Sequence, residues 1–143
     1  MAQWDDNKVL HVDQAHEGII YAMSARQATD GIVTGGRDGF VKVWAVDVKP
    51  NKFGLKVENE ESTGLRVYSL KSTNSHLPQA KSVFEHPKTG FVLVGTRGGE
   101  IVEFGMTPQE NPRMLLKSHY DGEVNGLSPH PKKDQFLMYV SLL

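Results

Sequence analysis

The stretch Gly31-Ile-Val-Thr-Gly-Gly-Arg-Asp-Gly-Phe-Val-Lys-Val-Trp44 decides the fold of this 143-residue chain. Its β-branched and aromatic residues lie in two short runs on either side of Asp38-Gly39, and such residues favour strands. An Asp-Gly pair favours a tight turn because glycine accepts positive φ and aspartate tolerates it. The stretch therefore predicts a β-hairpin, with Trp44 placed six positions after the turn aspartate.

The rest of the chain follows the same pattern of short strands and turns. Strand-like runs of apolar residues are predicted at 8–13, 19–25, 55–57, 65–70, 80–85, 91–96, 100–104, 114–116 and 123–127. Residues 49–54 are predicted as a loop, as are residues 107–112, which include two prolines. We find no convincing amphipathic helix, so the sequence predicts an all-β chain.

Composition excludes several classes of protein. The chain has 0 Cys, which excludes a disulfide framework and a thiolate metal site. Its formal net charge of −1, with Lys and Arg spread along the chain, argues against a nucleic-acid partner. No apolar run approaches the roughly 20 residues of a membrane span, and the polar, acidic N-terminus is unlike a signal peptide. We therefore expect a cytoplasmic protein without a membrane partner.

Two motifs recur along the chain. His86-Pro87-Lys88 recurs as His130-Pro131-Lys132, an offset of 44 residues from 86 to 130. The turn at 35–39 recurs in weakened form at 95–99, an offset of 60 residues. A β-propeller blade repeats every 40–45 residues or about that, so the second offset is longer by some 15. The excess between 47 and 70 predicts an insertion at the outer strand of a blade, on the rim or on one face.

These repeats predict a partial WD40-type β-propeller of about two to three four-stranded antiparallel blades. The segment occupies residues 1–143, divided into a blade remnant at 8–13, a blade at 16–70, a blade at 77–117 and the start of another at 119–143. Closed propellers have about 4–8 blades, so this array does not close alone. We expect a fragment of a longer protein, an incomplete reading frame, or a chain whose further blades come from the rest of a longer chain or from a partner.

His16, Thr34, Asp38 and Trp44 are predicted to form a structural hydrogen-bond relay. In WD-type blades the aspartate accepts from the histidine, which bonds a Ser or Thr that in turn bonds the indole N–H of the tryptophan. An enzymatic triad is disfavoured because Thr34 lies on a strand without a nucleophile elbow. The second repeat has Gly98 where the aspartate would stand and no matching tryptophan, so we expect packing alone to hold that blade.

No catalytic residue, cofactor or metal ligand is predicted. The six His are scattered singly, without the paired spacing of metal sites. The glycine-rich turns lack the Gly-Lys-Ser or Gly-Lys-Thr that opens the helix of a phosphate-binding loop. The alternative of a hydrolase on a propeller scaffold therefore has no nucleophile paired with a base.

Several segments in order resemble the echinoderm microtubule-associated-protein-like (EMAP-like) family, over nearly the whole chain. They are Ala15 to Ala22, Ile32 to Gly39, Val92 to Thr96, Gly99 to Ile101, His119 to Val124, and Gly126-Leu127 before His130-Pro131. The sequence departs from the family at Asn125, where the family tends to have Trp. The resemblance implies a non-enzymatic propeller protein that binds tubulin, microtubules or an axonemal protein, located on the cytoskeleton and including the cilium or axoneme.

Two polar segments predicted as long loops, residues 49–64 and 107–113, are the candidate contacts for such a partner. Within them we select the charged residues Lys49, Lys52, Glu58 and Arg113. The alternative function is a general WD40 adaptor in another protein complex, for example in trafficking or ubiquitin ligation.

Overall fold

The computed structural model describes residues 14–26, 30–49, 52–57, 66–107, 109–117, 122–130 and 132–142. These residues form strands and one turn of 3-10 helix, with no other helix in the described ranges. All strand pairs are antiparallel, so the all-β prediction is confirmed. The predicted strand at 8–13, which is the blade remnant, lies outside the described residues, as do 118–121.

The first sheet has five strands. They are β1 (Ile20–Ala25), β2 (Gly31–Gly36), β3 (Phe40–Lys49), β4 (Lys52–Val57) and β5 (Val67–Ser69), with the 3-10 turn Leu70–Ser72 after β5. β1 to β4 pair in sequence order, and β5 pairs with β3. The predicted hairpin is confirmed, with Gly39 at a φ of 82° in its turn.

The second sheet has four strands and the third has two. The second consists of β6 (Ala80–Glu85), β7 (Val92–Thr96), β8 (Ile101–Phe104) and β9 (Arg113–Leu116), paired in sequence order. The third consists of β10 (Glu123–His130) and β11 (Lys133–Leu142). The three sheets lie within the predicted blade ranges 16–70, 77–117 and 119–143. They form no closed barrel or ring and are consistent with partial β-propeller blades.

The predicted loop at residues 49–54 is wrong. β3 continues to Lys49 and β4 begins at Lys52, and these two residues pair directly. The alternating apolar residues of 46–48 and 53–57 form strands because antiparallel pairing satisfies the backbone groups of the inserted segment. β5 pairs with the first residues of β3 and β4 with the later ones, so two strands share one edge of β3. The insertion therefore includes a hairpin arm at the outer edge of the first sheet.

The first three strands of the first and second sheets match at an offset of 60 residues. Ile20 pairs with Gly36 in the first sheet, and Ala80 pairs with Thr96 in the second. The turns match as well, since Gly39 and Gly99 have φ values of 82° and 83°. Residues at this offset are called equivalent below.

The core lies between the first and second sheets. It consists of Val33, Val41, Val43, Tyr68 and Leu70 from the first sheet and Ala80, Val83, Val92, Val94, Val102 and Phe104 from the second. The rings of Tyr68 and Phe104 meet with their centroids 4.9 Å apart. Fully burying each large apolar side chain stabilises the fold by about 1.5–3 kcal/mol, so this cluster holds the two sheets face to face.

A glycine allows each sheet to approach the next closely. A Cβ on Gly35 would lie 2.6 Å from the Cβ of Ala80, and a Cβ on the equivalent Gly95 would lie 2.5 Å from Cγ1 of Val124. Both separations are too short for carbon atoms. The contact between the first and second sheets is thus repeated between the second and third.

Candidate functional site

The four side chains of the predicted relay meet at the edge of the first sheet where β2 turns into β3. Nδ1 of His16 lies 3.0 and 3.1 Å from the two carboxylate oxygens of Asp38, and its Nε2 lies 2.8 Å from Oγ1 of Thr34. The indole N–H of Trp44 donates to the same Thr34 oxygen at 2.9 Å. Since a carboxylate only accepts, Nδ1 carries the proton and Nε2 accepts from the threonine hydroxyl. All three predicted contacts are present.

The charge of Asp38 is held by the turn around it. The backbone N–H groups of Phe40 and Glu17 donate to its two oxygens at 3.1 and 3.0 Å. Burial alone would raise the pKa of the Asp38 carboxyl, but the bonds from Phe40, His16 and Glu17 outweigh burial and lower that pKa below its ordinary value. The relay therefore contains a carboxylate that stays ionised and ties three chain segments together.

A second polar cluster lies at the equivalent edge of the second sheet, around Glu100. Its carboxylate accepts from Ser75 Oγ at 2.8 Å, from His76 Nδ1 at 3.2 Å, and from the hydroxyl of Thr96. The Glu100 side chain is 2% exposed, whereas that of His76 is 69% exposed. Burial alone would raise the pKa of the Glu100 carboxyl, but the bonds from Thr96, Ser75 and His76 lower it.

The expectation that packing alone holds the second sheet is wrong. Gly98 does stand where the turn aspartate would be, but Glu100 comes two residues later and has a longer side chain, which returns to the turn. The sequence contained a signal for this cluster that our reading missed. His76 follows His16 by the same 60 residues that separate the two turns. Testing that offset for histidine would have identified the second cluster.

A third cluster, buried between the first two sheets, was not predicted at all. The Glu85 carboxylate accepts from Arg26 Nε at 2.6 Å and Nη2 at 3.0 Å, and from Arg66 Nη1 at 3.1 Å. Arg66 also donates to the Gly90 carbonyl at 2.8 Å. Glu85 and Arg66 are 1% and 2% exposed. The three charged residues come from distant segments without a local motif, so no sequence pattern indicated them.

The charge state of this cluster is fixed by its contacts. Burial alone would lower the pKa of the Arg66 guanidinium, but Tyr68 and Glu85 outweigh burial and raise it. The Tyr68 hydroxyl donates to the Gly105 carbonyl at 2.8 Å, and burial raises its pKa. The cluster joins β5 and the end of β1 to the end of β6, at the edge of the sheets opposite to the relay.

The predicted contact residues do not lie together on loops. Lys49 is the last residue of β3, Lys52 the first of β4, and Arg113 the first of β9. Glu58 lies outside the described residues. The Arg113 guanidinium pairs with the Glu103 carboxylate at 2.8 Å, and its side chain is 70% exposed. Their placement on loops is therefore wrong for these three residues, while their role in binding stays a prediction.

The relay cannot supply a nucleophile in this arrangement. Thr34 Oγ1 is buried, donates to His16 and accepts from Trp44, so no lone pair or proton of it faces solvent. Across the described ranges, no group of three or more His, Cys, Asp or Glu is placed to hold a metal ion. No helix in the part of the chain that the structure describes is long and apolar enough to cross a membrane. What these clusters do is connect strands and sheets.

The exposed surface next to the relay contains a groove of about 510 Å³, open to solvent. Its lining consists of Gln14, Ala15, His16, Glu17, Asp38, Phe40, Lys42 and Val67. A smaller space of about 300 Å³ lies among the first strands of all three sheets, next to Tyr21, Lys81 and Asn125. There the Lys81 ammonium lies 4.1 Å from the centre of the Tyr21 ring and 3.0 Å from Glu123. Both spaces are shallow surface features suited to protein contacts.

No known protein-family model matches this chain.

Proposed function

We propose that this chain is a segment of a non-enzymatic WD40-type β-propeller scaffold that binds microtubules or tubulin, or an axonemal protein. Its partners act through surface complementarity, and no bond chemistry is involved. The proposed location is the cytoskeleton in the cytoplasm, including the cilium or axoneme.

One observation carries the scaffold part of this proposal: the buried polar groups of the described residues are used to hold the structure together. The seven buried polar or charged side chains are His16, Thr34, Arg66, Ser82, Glu85, Thr96 and Glu100. Each forms at least one hydrogen bond to another strand, turn or sheet. Catalytic sites leave polar groups pointing at a substrate, whereas these point at one another.

The WD40 part of the proposal rests on the relay and the repeat. His16, Thr34, Asp38 and Trp44 meet in the order expected of a WD-type blade. The repeated glycine contact, at Gly35 and Gly95, places successive sheets side by side as in a propeller.

The microtubule part rests on the resemblance to the EMAP-like family. Cosedimentation with polymerised tubulin tests it, using this chain and the longest natural form that contains it. We expect both to pellet with microtubules in a saturable manner, and charge reversal at Lys49, Lys52 or Arg113 to weaken pelleting. Arg37→Glu, at an exposed position on the relay edge, is the matched control and is expected to pellet normally.

Failure of both forms to pellet would remove microtubule binding from the proposal. Affinity purification of the longest form then tests the adaptor alternative. Stoichiometric recovery of one other complex, abolished by a surface variant that leaves folding intact, would establish an adaptor in place of a cytoskeletal protein.

A further inference from the structure

The face of the first sheet that points away from the second sheet carries exposed apolar side chains. In the second sheet the matching residues are Ala80 and Val83, which are 0% and 6% exposed because the first sheet covers them. Their equivalents in the first sheet are Ile20 and Met23, which are 47% and 69% exposed. We call this surface of the first sheet, with Phe40 and Lys42 on β3, the open face. Contiguous exposed apolar residues of this kind mark a contact surface.

The second sheet indicates what kind of surface covers such a face. Its own matching face is buried by a neighbouring β-sheet, within one hydrophobic cluster. The open face differs from it in one important position, since Lys42 stands at the equivalent of Val102, which is 1% exposed. A sheet that covers the open face must therefore provide a carboxylate for this ammonium, because an unpaired buried charge is strongly unfavourable.

The open face provides that carboxylate itself. Glu17 and Lys42 line the same groove of about 510 Å³, together with Phe40 and Val67. Within the described ranges Lys42 has no ion pair, and its ammonium lies 6.0 Å from the centre of the Trp44 ring. The Glu17 side chain is exposed. A two-fold axis across the groove would bring each Lys42 opposite the Glu17 of the other copy.

We propose that the open face binds the open face of a second copy of this chain, as an isologous dimer. Ile20 and Met23 form its apolar centre, and two reciprocal Lys42–Glu17 ion pairs form its edge. The surface satisfies the requirement of a two-fold interface that cation and anion are both present on the same patch.

A head-to-tail arrangement, with the third sheet of one copy on the first sheet of the next, does not fit. The contact repeated in this chain needs glycine on the second strand of the covering sheet, as at Gly35 and Gly95. In the third sheet Val140 pairs with Gly126, just as Gly95 pairs with Ser82 in the second. A side chain at this position prevents the close approach, which leaves the two-fold arrangement.

Sedimentation velocity over about a hundredfold range of protein concentration tests the proposal. We expect a reversible monomer–dimer equilibrium. Lys42→Glu and Glu17→Lys should each weaken dimerisation by about tenfold or more, because each places like charges in contact. The double variant Glu17→Lys/Lys42→Glu should restore the wild-type dissociation constant, because it only exchanges the two charges.

Met23→Lys should also abolish the dimer, whereas Met106→Lys, at a methionine that is 46% exposed elsewhere, should leave it intact. Circular dichroism identifies variants that fail to fold, and Ile20→Lys then replaces Met23→Lys. A monomer at every concentration, or a double variant that does not recover dimerisation, would overturn the proposal and leave a sheet from another chain as the occupant. Pelleting with microtubules is measured separately, so the two proposals fail independently.

Discussion

The first and second sheets meet the same structural need with different acids. In the first sheet Asp38 lies in the turn itself and contacts His16, which passes the hydrogen bonding on to Thr34 and Trp44. In the second sheet Glu100 follows the turn and contacts its serine, histidine and threonine partners directly. The equivalent of Glu100 in the first sheet is Phe40. A carboxylate at this edge is thus required by position, while the residue that supplies it can change.

The difference between the two sheets extends to the way each joins its neighbour. The first sheet meets the second through the Arg26–Glu85–Arg66 cluster, which is buried. The second meets the third through Glu123, which pairs with Lys81 at 3.0 Å and Arg97 at 3.1 Å near the surface. We therefore expect the first boundary to be much more sensitive to loss of one charge than the second.

The largest effect is expected at the buried boundary. Glu85→Ala leaves two arginines at one buried site without their carboxylate, which should cost about 3–5 kcal/mol in the free energy of unfolding. Glu103→Ala, which removes the partner of the exposed Arg113, is the matched control and should cost less than about 1 kcal/mol. Urea unfolding followed by tryptophan fluorescence measures both. Equal losses would show that the buried cluster contributes no more than a surface pair.

The next effect is expected where the sheets approach most closely. Gly35→Ala and Gly95→Ala each insert a methyl group into an occupied space, at a cost of about 1–3 kcal/mol. Combining Gly95→Ala with Val124→Ala should cost less than the sum of the two changes, because the second makes room for the first. Thermal unfolding measures these costs. Strict additivity would contradict the close contact between the second and third sheets.

Acid should weaken both sheets, and in a fixed order. The pKa of Asp38 and that of Glu100 are lowered in the folded chain from ordinary values of 3.8 and 4.5. Their contributions to stability are therefore complete above those ordinary values and are lost as the pH falls through the lower pKa of the folded state. We expect the free energy of unfolding to begin falling below about pH 4.5, where Glu100 starts to bind a proton in the unfolded chain. Stability that is constant from pH 6 to about pH 3 would be inconsistent with the two lowered pKa values.

The smallest effect is expected at the end of the relay. Trp44→Phe copies the second sheet, where the equivalent residue is Phe104, and removes only the indole N–H that donates to Thr34. Because Thr34 still donates to His16, the cost should be about 1 kcal/mol. Chemical denaturation followed by circular dichroism gives the value. A cost several times larger would mean that the relay behaves as one cooperative unit and is not comparable with the cluster of the second sheet.

The sequence predicted the parts of this structure that depend on local chemistry. The hairpin around Asp38-Gly39, the strand-and-turn order and the relay all follow from residue types at short spacing. The arm formed by β3 and β4 was missed because Lys49 to Gly54 contains Pro, Asn and Gly, which favour loops, while the pairing that makes it a hairpin involves the residues on either side.

The clusters around Glu85 and Glu100 were missed for different physical reasons. Glu85 meets Arg26 and Arg66 across 59 and 19 residues of sequence, and only the packing of the sheets brings them together. Glu100 was missed because we searched for aspartate at one position, whereas a longer carboxylate can reach that position from a nearby residue. A search for any acid within reach of the turn, guided by His76, would have found it.

Parallel unfolding of Asp38→Asn and Glu100→Gln tests most directly whether the two carboxylates do the same work. Each change keeps the shape of the side chain and removes its charge, and each amide would leave buried donors poorly matched. We predict that both variants lose about 1–3 kcal/mol and that the two losses agree within about 1 kcal/mol. A Glu100→Gln protein as stable as the wild type, beside a destabilised Asp38→Asn protein, would contradict the account.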